Sequence, residues 1–99
     1  FEVEDNIVLM EFNTWKNWKN AAALGARAII FVEPEVSTLW EARYKWSWAP
    51  VHVPRFWLSR QAALALKDRL DGGTLTARLA ARMDFESHTT WNFWGTIPG

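Results

Sequence analysis

The chain has 99 residues, which is enough for one domain with its own hydrophobic core. Eleven acidic and eleven basic side chains give a formal charge of zero. The basic residues form no block of the kind that binds nucleic acid, so a nucleic-acid partner is not expected. Cysteine is absent, which excludes disulfides and thiolate metal sites within these residues, and no apolar run approaches the roughly 20 residues of a membrane span.

The first third of the chain predicts a strand, a helix and a second strand. Ile7 to Phe12 and residues 26–32 are short apolar runs typical of strands covered on both faces. Residues 15–24 have helical spacing, and Gly25 follows as a residue that adopts positive φ without a Cβ clash. Because a crossover helix joins the two runs, we expect the strands to pair in parallel with a right-handed connection.

The predicted helix 15–24 has a clear start and a clear apolar face. Asn13 or Thr14 is expected to cap it by accepting a bond from a backbone N–H of the first turn. Trp15 and Trp18 share one stripe of the helix, so we expect both rings to belong to the core.

Residues 33–50 are irregular in pattern, and within them 37–43 favours one or two helical turns. Strand character returns from Val51 to Leu58, although Pro54 indicates an edge strand or a bulge because proline donates no ladder bond. Ser59 is the predicted N-cap of a helix over 60–70, whose inner face is expected to present Ala63, Leu66 and Leu70. Asp71-Gly-Gly73 then ends the helix.

Residues 74–86 have the clearest period-two pattern in the chain. Apolar side chains occupy the odd positions and mostly polar side chains the even ones, so the pattern predicts a half-buried strand, antiparallel to a neighbour. Residues 87–99 change character, because polar residues lead into the strand-like apolar segment Trp91-Asn-Phe-Trp94.

The order of these elements resembles the protease-associated domain, a non-catalytic module of larger peptidases and sorting receptors. The resemblance covers residues 6–85, nearly the whole chain. It is carried by four short motifs: Ile7-Val8-Leu9, Leu24-Gly25-Ala26-Arg27-Ala28-Ile29-Ile30, Val53-Pro54, and Leu64-Ala65-Leu66 through Gly73. It implies an α/β (α+β) fold of the swivelling β/β/α type, in which a small mixed sheet or open barrel is flanked by two main helices.

The end of the chain adds a second resemblance. Trp91-Asn-Phe-Trp-Gly-Thr-Ile-Pro-Gly99 is similar to the strand that follows this domain in zinc aminopeptidases related to the transferrin receptor. The resemblance implies that residues 1–86 form the protease-associated domain and that 87–99 form a linker and the first strand of a following peptidase-like domain. The zinc ligands would belong to that following domain, so no cofactor is expected in this chain, and the parent protein would be exported.

The partners implied are the adjacent peptidase domain and a peptide or protein substrate, without nucleic acid or a membrane span in this chain. Self-association through residues 91–97 is a further expectation. The chain begins with Phe1 and without a signal sequence, which favours a piece excised from a longer protein over a processed mature protein.

Catalytic residues are not indicated by the sequence. Ser37, Ser47, Ser59 and Ser87 lie outside any nucleophile-elbow motif. Asp84, Glu86 and His88 alternate along one side of the predicted strand 74–86, but they match no zinc-ligand motif, so a solvated strand exterior is favoured over a metal site. We therefore expect a chain without catalytic or metal-binding residues.

Tryptophan is the compositional outlier, with eight copies, and these rings cannot all be fully buried in so small a core. One constellation has the character of an interaction surface, because aromatic and arginine residues dominate protein-interface hot spots. It consists of Trp40, Arg43, Tyr44, Trp46 and Trp48. The alternatives are that these rings pack on the sheet or on the adjacent domain, or that they form the ligand site of a free-standing module that binds a protein or a carbohydrate.

Overall fold

A β-strand, an α-helix and a parallel β-strand open the fold, as the apolar runs predict. The computed structural model describes residues 2–46, 52–82 and 84–99, and these contain three strands and three helices in a small α+β arrangement. In chain order the elements are β1 (Ile7–Glu11), α1 (Trp18–Ala23), β2 (Ala28–Val32), α2 (Leu39–Trp46), β3 (Arg55–Leu58) and α3 (Arg60–Asp71).

The three strands form one parallel sheet in the order β1-β2-β3. In its register Ile7 lies opposite Ala28, and Val32 lies opposite Leu58. The parallel pairing of the first two strands is therefore confirmed. The third strand is shorter than the predicted Val51 to Leu58, because β3 begins only at Arg55 and residues 52–54 belong to no strand, while Val51 lies outside the described residues. β3 forms an edge of the sheet in the described residues, and the Pro54 carbonyl accepts a 2.9 Å bond from the Ile29 N–H just before it begins.

The main core lies on one face of the sheet, beneath α1 and α2. The central strand β2 is buried along its whole length, as expected for a strand covered on both faces. Trp18 and Ile29 are fully buried, and the rings of Phe12 and Phe31 meet edge to face with centroids 5.6 Å apart. The buried residues of this cluster are Phe12, Trp18, Ala21, Ala26, Ile29 and Phe31.

Both predicted helix stops form as expected. Gly25 has φ +88°, and the N–H groups of Gly25 and Ala26 donate to the carbonyls of Ala22 and Ala21, which is the Schellman arrangement. The last helix, α3, ends at Asp71 and is followed by Gly73, which has φ +149°. Because glycine has no Cβ, these two residues adopt positive φ at little steric cost and let the chain turn away from each helix.

The predicted N-cap of α3 is confirmed, and the predicted inner face of this helix is confirmed in part. The Ser59 hydroxyl accepts a 3.3 Å bond from the Ala62 N–H. On α3, Ala63 is buried and Leu66 is partly buried, but Leu70 is exposed, so the buried stripe covers only the first half of the helix.

The start of α1 differs from the prediction. The helix begins at Trp18 rather than at residue 15, and its N-cap residue Asn17 makes no side-chain capping bond. The Asn13 amide instead donates a 2.7 Å bond to the Val36 carbonyl, which joins this loop to the segment before α2. Trp15 therefore lies outside the helix with φ +50°, and its ring is 62% exposed rather than part of the core.

The predicted strand over 74–86 is wrong for the residues that the structure describes. Positions 74–82 and 84–86 belong to no strand, and Phe85, expected on the inner face, is fully exposed. Residues 77–81 instead lie beside Ile7, Ala28 and Phe56, around a shallow depression at the start of the sheet. The expected mixed sheet is accordingly a purely parallel one in the described residues. None of the helices found there has the length and apolar character that crossing a bilayer requires.

Candidate binding surface around helix α2

Helix α2 contains most of the aromatic constellation that the sequence indicated. Trp40, Arg43, Tyr44 and Trp46 fall within it, although the structure describes the backbone but not the side chain of Trp46. Trp48 lies outside the described residues. The helix is eight residues long, so it continues beyond the one or two turns predicted over 37–43.

One side of α2 presents Trp40, Arg43 and Tyr44 together, because residues three and four apart are neighbours on a helix. The Arg43 guanidinium lies 5.4 Å from the centroid of the Trp40 ring, within the range of a cation–π contact. The Trp40 side chain is 57% exposed. The structure thus brings together three of the residues that the sequence singled out.

Trp15 joins this surface from the loop after β1. Its ring stacks on Tyr44 with centroids 5.3 Å apart and planes inclined by 27°. The Lys16 ammonium lies 5.4 Å from the centroid of the same Tyr44 ring. We call the surface formed by Trp15, Lys16, Trp40, Arg43 and Tyr44 the aromatic platform.

The opposite side of α2 holds a buried ion pair. Lys45 Nζ lies 2.6 Å from Glu41 Oε2, and the two side chains are only 7% and 9% exposed. The Lys45 ammonium also lies 4.9 Å from the Phe12 ring and 5.8 Å from the Phe31 ring. The pair is thus enclosed by aromatic side chains of the core, where a charge needs close partners to be tolerated.

This ion pair fixes the backbone of Trp15. The Trp15 N–H donates a 3.0 Å bond to Glu41 Oε2, and Lys45 Nζ donates a 3.1 Å bond to the Trp15 carbonyl oxygen. A left-handed conformation costs roughly 1–2 kcal/mol for a residue with a Cβ. The two charge-assisted bonds offset that cost and hold the Trp15 ring at the surface.

Trp18 and Arg55 connect the end of α2 to the core. Trp18 Nε1 donates a 2.9 Å bond to the Tyr44 carbonyl, which satisfies the polar atom of a fully buried ring. The Arg55 guanidinium lies 4.8 Å from the Trp18 ring and donates to the Lys45 carbonyl. Burial lowers the pKa of Arg55 from its ordinary value, because desolvation disfavours the charged form.

Of the serine candidates, Ser37 and Ser59 make hydrogen bonds within the fold, Ser87 is exposed, and Ser47 lies outside the described residues. Ser37 donates a 2.8 Å bond to the Asn13 side chain, and Ser59 caps α3. In the C-terminal segment Glu86 lies 3.0 Å from the His88 ring, while Asp84 pairs with Arg82 at 3.1 Å, all of them exposed. Within the described ranges, histidine and carboxylate side chains form no group of three placed to hold a metal ion.

Sequence reasoning missed both the role of Trp15 and the buried pair beneath it. The spacing of Glu41 and Lys45 is the usual signature of a helical ion pair, but such pairs are ordinarily solvent-exposed. No local signal marked the pair as buried, because the residues three and four positions before Lys45 are Ala42 and Glu41, and the rings that enclose its ammonium are those of Phe12 and Phe31, far away in the sequence. Comparison with known proteins adds no assignment, since no family model, no curated protein and no solved structure matches this chain.

Proposed function

We propose that this chain is a non-catalytic accessory domain of the protease-associated kind, within a larger, exported, zinc-dependent aminopeptidase-like protein. Its role there is substrate access or recognition, or contact with a protein partner. The short motifs of the resemblance support the proposal, because two of them coincide with β1 and with the Gly25 turn into β2.

The observation that carries the proposal is the exposed apolar C-terminal segment. Five large apolar side chains there are between 78% and 106% exposed: Phe85, Trp91, Phe93, Trp94 and Ile97. The radius of gyration is 17.8 Å, whereas a compact chain of this length has about 13 Å. Large apolar side chains exposed together in one segment are typical of an interaction site. The proposed occupant is the adjacent peptidase domain, to which residues 87–99 would contribute the first strand.

A direct test assays the purified chain with an aminoacyl p-nitroanilide in the presence and absence of zinc. We expect no zinc-dependent turnover and no stoichiometric retention of zinc after dialysis. Turnover that depends on zinc would contradict the proposal. Sequencing the gene beyond the Gly99 codon is the complementary measurement, and a downstream region without histidine and carboxylate ligands for zinc would contradict the peptidase parent.

A second candidate is a free-standing interaction module that binds a protein or carbohydrate ligand through its tryptophan-rich segment. It is favoured by the exposure of Trp40 on a helix whose other side is anchored by a buried ion pair. The variant with Trp40, Trp46 and Trp48 all changed to alanine distinguishes ligand binding by these rings from their packing within the domain. Loss of ligand binding without loss of folding supports this module, whereas global unfolding indicates that the rings pack within the domain.

A further inference from the structure

We propose that the aromatic platform binds an acidic peptide segment that carries aromatic or aliphatic side chains between its carboxylates. This inference rests on the proposed role in substrate or partner recognition and names the chemistry recognised. The platform is the surface defined above by Trp15, Lys16, Trp40, Arg43 and Tyr44.

Charge is the first argument. Residues 15–20 and 39–46 carry four cationic side chains and one carboxylate, although the chain as a whole is neutral. That carboxylate belongs to Glu41, which is buried and paired with Lys45. Within these two segments the exposed charges are therefore cationic, and the Lys16 ammonium lies over the Tyr44 ring and the Arg43 guanidinium over the Trp40 ring. The exposed Glu35 carboxylate, next to Val36, is paired with Arg60 at 3.8 Å. A surface of this sign attracts an anionic ligand.

Apolar exposure is the second argument. Trp15 and Trp40 are 62% and 57% exposed, and Val36 and Leu39, which flank the start of α2, are more exposed still. Aromatic and arginine side chains supply most of the binding energy in protein interfaces, because they bury large areas with few freely rotating bonds. A ligand that matches the platform therefore needs apolar side chains as well as carboxylates.

Rigidity is the third argument. The Trp15 backbone is held in a left-handed conformation by bonds to both members of the buried pair. A strained residue whose ring is largely exposed contributes little to the core, and such strain concentrates at functional sites. Fixing the ring before binding reduces the entropy that association must lose.

The hydrogen-bonding character of the platform favours a peptide carboxylate over a sugar. Lysine and arginine donate bonds and accept none, so they match carboxylate oxygens, which only accept. A sugar hydroxyl both donates and accepts, and the one carboxylate of α2, that of Glu41, is buried and already bonded to the Trp15 N–H and to Lys45. The rings alone would still allow stacking, so a carbohydrate is one outcome of the test.

The test measures fluorescence anisotropy of labelled synthetic peptides with the intact 99-residue chain. In one peptide glutamate alternates with phenylalanine, and in two matched peptides glutamine or lysine replaces glutamate. We expect the glutamate peptide to bind at least about tenfold more tightly than either, with an affinity that falls as salt rises from about 0.05 to about 0.5 M. Equal affinity for the three peptides, or binding of labelled maltohexaose in preference to all of them, overturns the inference.

Variants locate the binding on the platform. Trp40→Ala and Arg43→Gln are each expected to weaken the glutamate peptide about fivefold or more. Leu64→Ala and Arg69→Gln are the matched controls, because both residues are exposed on α3, away from the platform and from the C-terminal segment, and they are expected to leave affinity unchanged. Urea unfolding of each variant confirms that it is folded. Equal losses in platform and control variants overturn the inference.

The peptide-binding result and the zinc-dependent turnover result test this inference and the proposed function separately. A chain that binds the glutamate peptide and also shows zinc-dependent turnover keeps this inference and contradicts the accessory-domain proposal. A chain without turnover that discriminates none of the peptides keeps the accessory-domain proposal and contradicts this inference.

Discussion

Glu41 and Lys45 form an ion pair that the fold encloses almost completely, with 2.6 Å between Oε2 and Nζ. The pair stabilises more than its own helix, since each member also bonds the backbone of Trp15 in the loop after β1. It thereby joins α2 to the end of the first strand. The bonds from Trp18 Nε1 to the Tyr44 carbonyl and from Arg55 to the Lys45 carbonyl attach the end of the same helix to the core.

Replacing Lys45 with methionine is expected to destabilise the fold by about 3–5 kcal/mol, because it leaves the Glu41 carboxylate buried without its counter-charge. Urea unfolding followed by far-ultraviolet circular dichroism measures the change. Adding Glu41→Gln to Lys45→Met is expected to restore part of the loss, since the double variant buries no charge at this position.

The exposed pair between Arg27 and Asp5 provides the matched control. Its atoms are 3.1 Å apart, but the side chains are 71% and 76% exposed, so water screens the attraction. Arg27→Gln is expected to change the free energy of unfolding by less than about 1 kcal/mol. A Lys45→Met variant that lost no more than Arg27→Gln would contradict the burial of the Glu41–Lys45 pair.

The turn at Gly25 supports a second prediction. Gly25 has φ +88°, and an added Cβ would lie 3.2 Å from Glu4 Cγ and 3.4 Å from Glu4 Cα. Gly25→Ala is expected to lower the free energy of unfolding by at least about 1–2 kcal/mol, from the left-handed backbone alone. Gly95→Ala is the control, because a Cβ there meets no atom within 4 Å, and it is expected to leave the urea midpoint unchanged.

Elements that combine an apolar pattern with a specific terminal residue formed as the sequence predicts. The β1-α1-β2 unit and α3 were predictable because each combines a buried apolar run or stripe with a specific end signal, Gly25 in one case and Ser59 in the other. The start of α1 was not predictable from spacing, since Trp15 and Trp18 lie three apart yet Trp15 is left-handed. The hydrogen bonds that hold the Trp15 backbone are made by Glu41 and Lys45 of α2, which is distant in sequence, so the helix propensity of residues 13–18 alone does not predict them.

Over residues 74–86 the sequence predicted a strand that the described residues do not form. Alternation tells which side chains would share a face, but a strand forms only where a neighbour supplies its hydrogen bonds. Two of the six apolar odd positions in this segment, Ala77 and Ala81, are small, which reduces the apolar area that pairing would bury. In the structure residues 77–81 lie at the start of the sheet without joining it.

The N-terminus of α3 supports a third prediction. Ser59 accepts a bond from the Ala62 N–H, which would otherwise lack a partner in the first turn. Ser59→Ala is expected to lower the free energy of unfolding by about 1 kcal/mol, whereas Ser59→Asp keeps an acceptor and is expected to retain the original stability. Equal losses in the two variants, measured by thermal unfolding, would show that the hydroxyl does not act as a cap.

The C-terminal segment supports the last prediction, which concerns its attachment to the rest of the fold. Trp91, Phe93 and Trp94 are between 78% and 94% exposed, so they contribute little area to the core. Changing all three to serine is therefore expected to alter the free energy of unfolding by no more than about 0.5 kcal/mol. The same variant is expected to be more soluble, because the apolar surface that the proposed peptidase domain would cover has been removed.

Analytical ultracentrifugation of the same variant separates the possible occupants of this surface. If the original chain self-associates and the triple variant is monomeric, residues 91–97 pair with a second copy when the peptidase domain is absent. If the chain is monomeric throughout and the substitutions cost several kcal/mol, the three rings pack on their own domain. That result would contradict their assignment to a following domain, because a segment that belongs to a neighbour cannot stabilise the isolated fold.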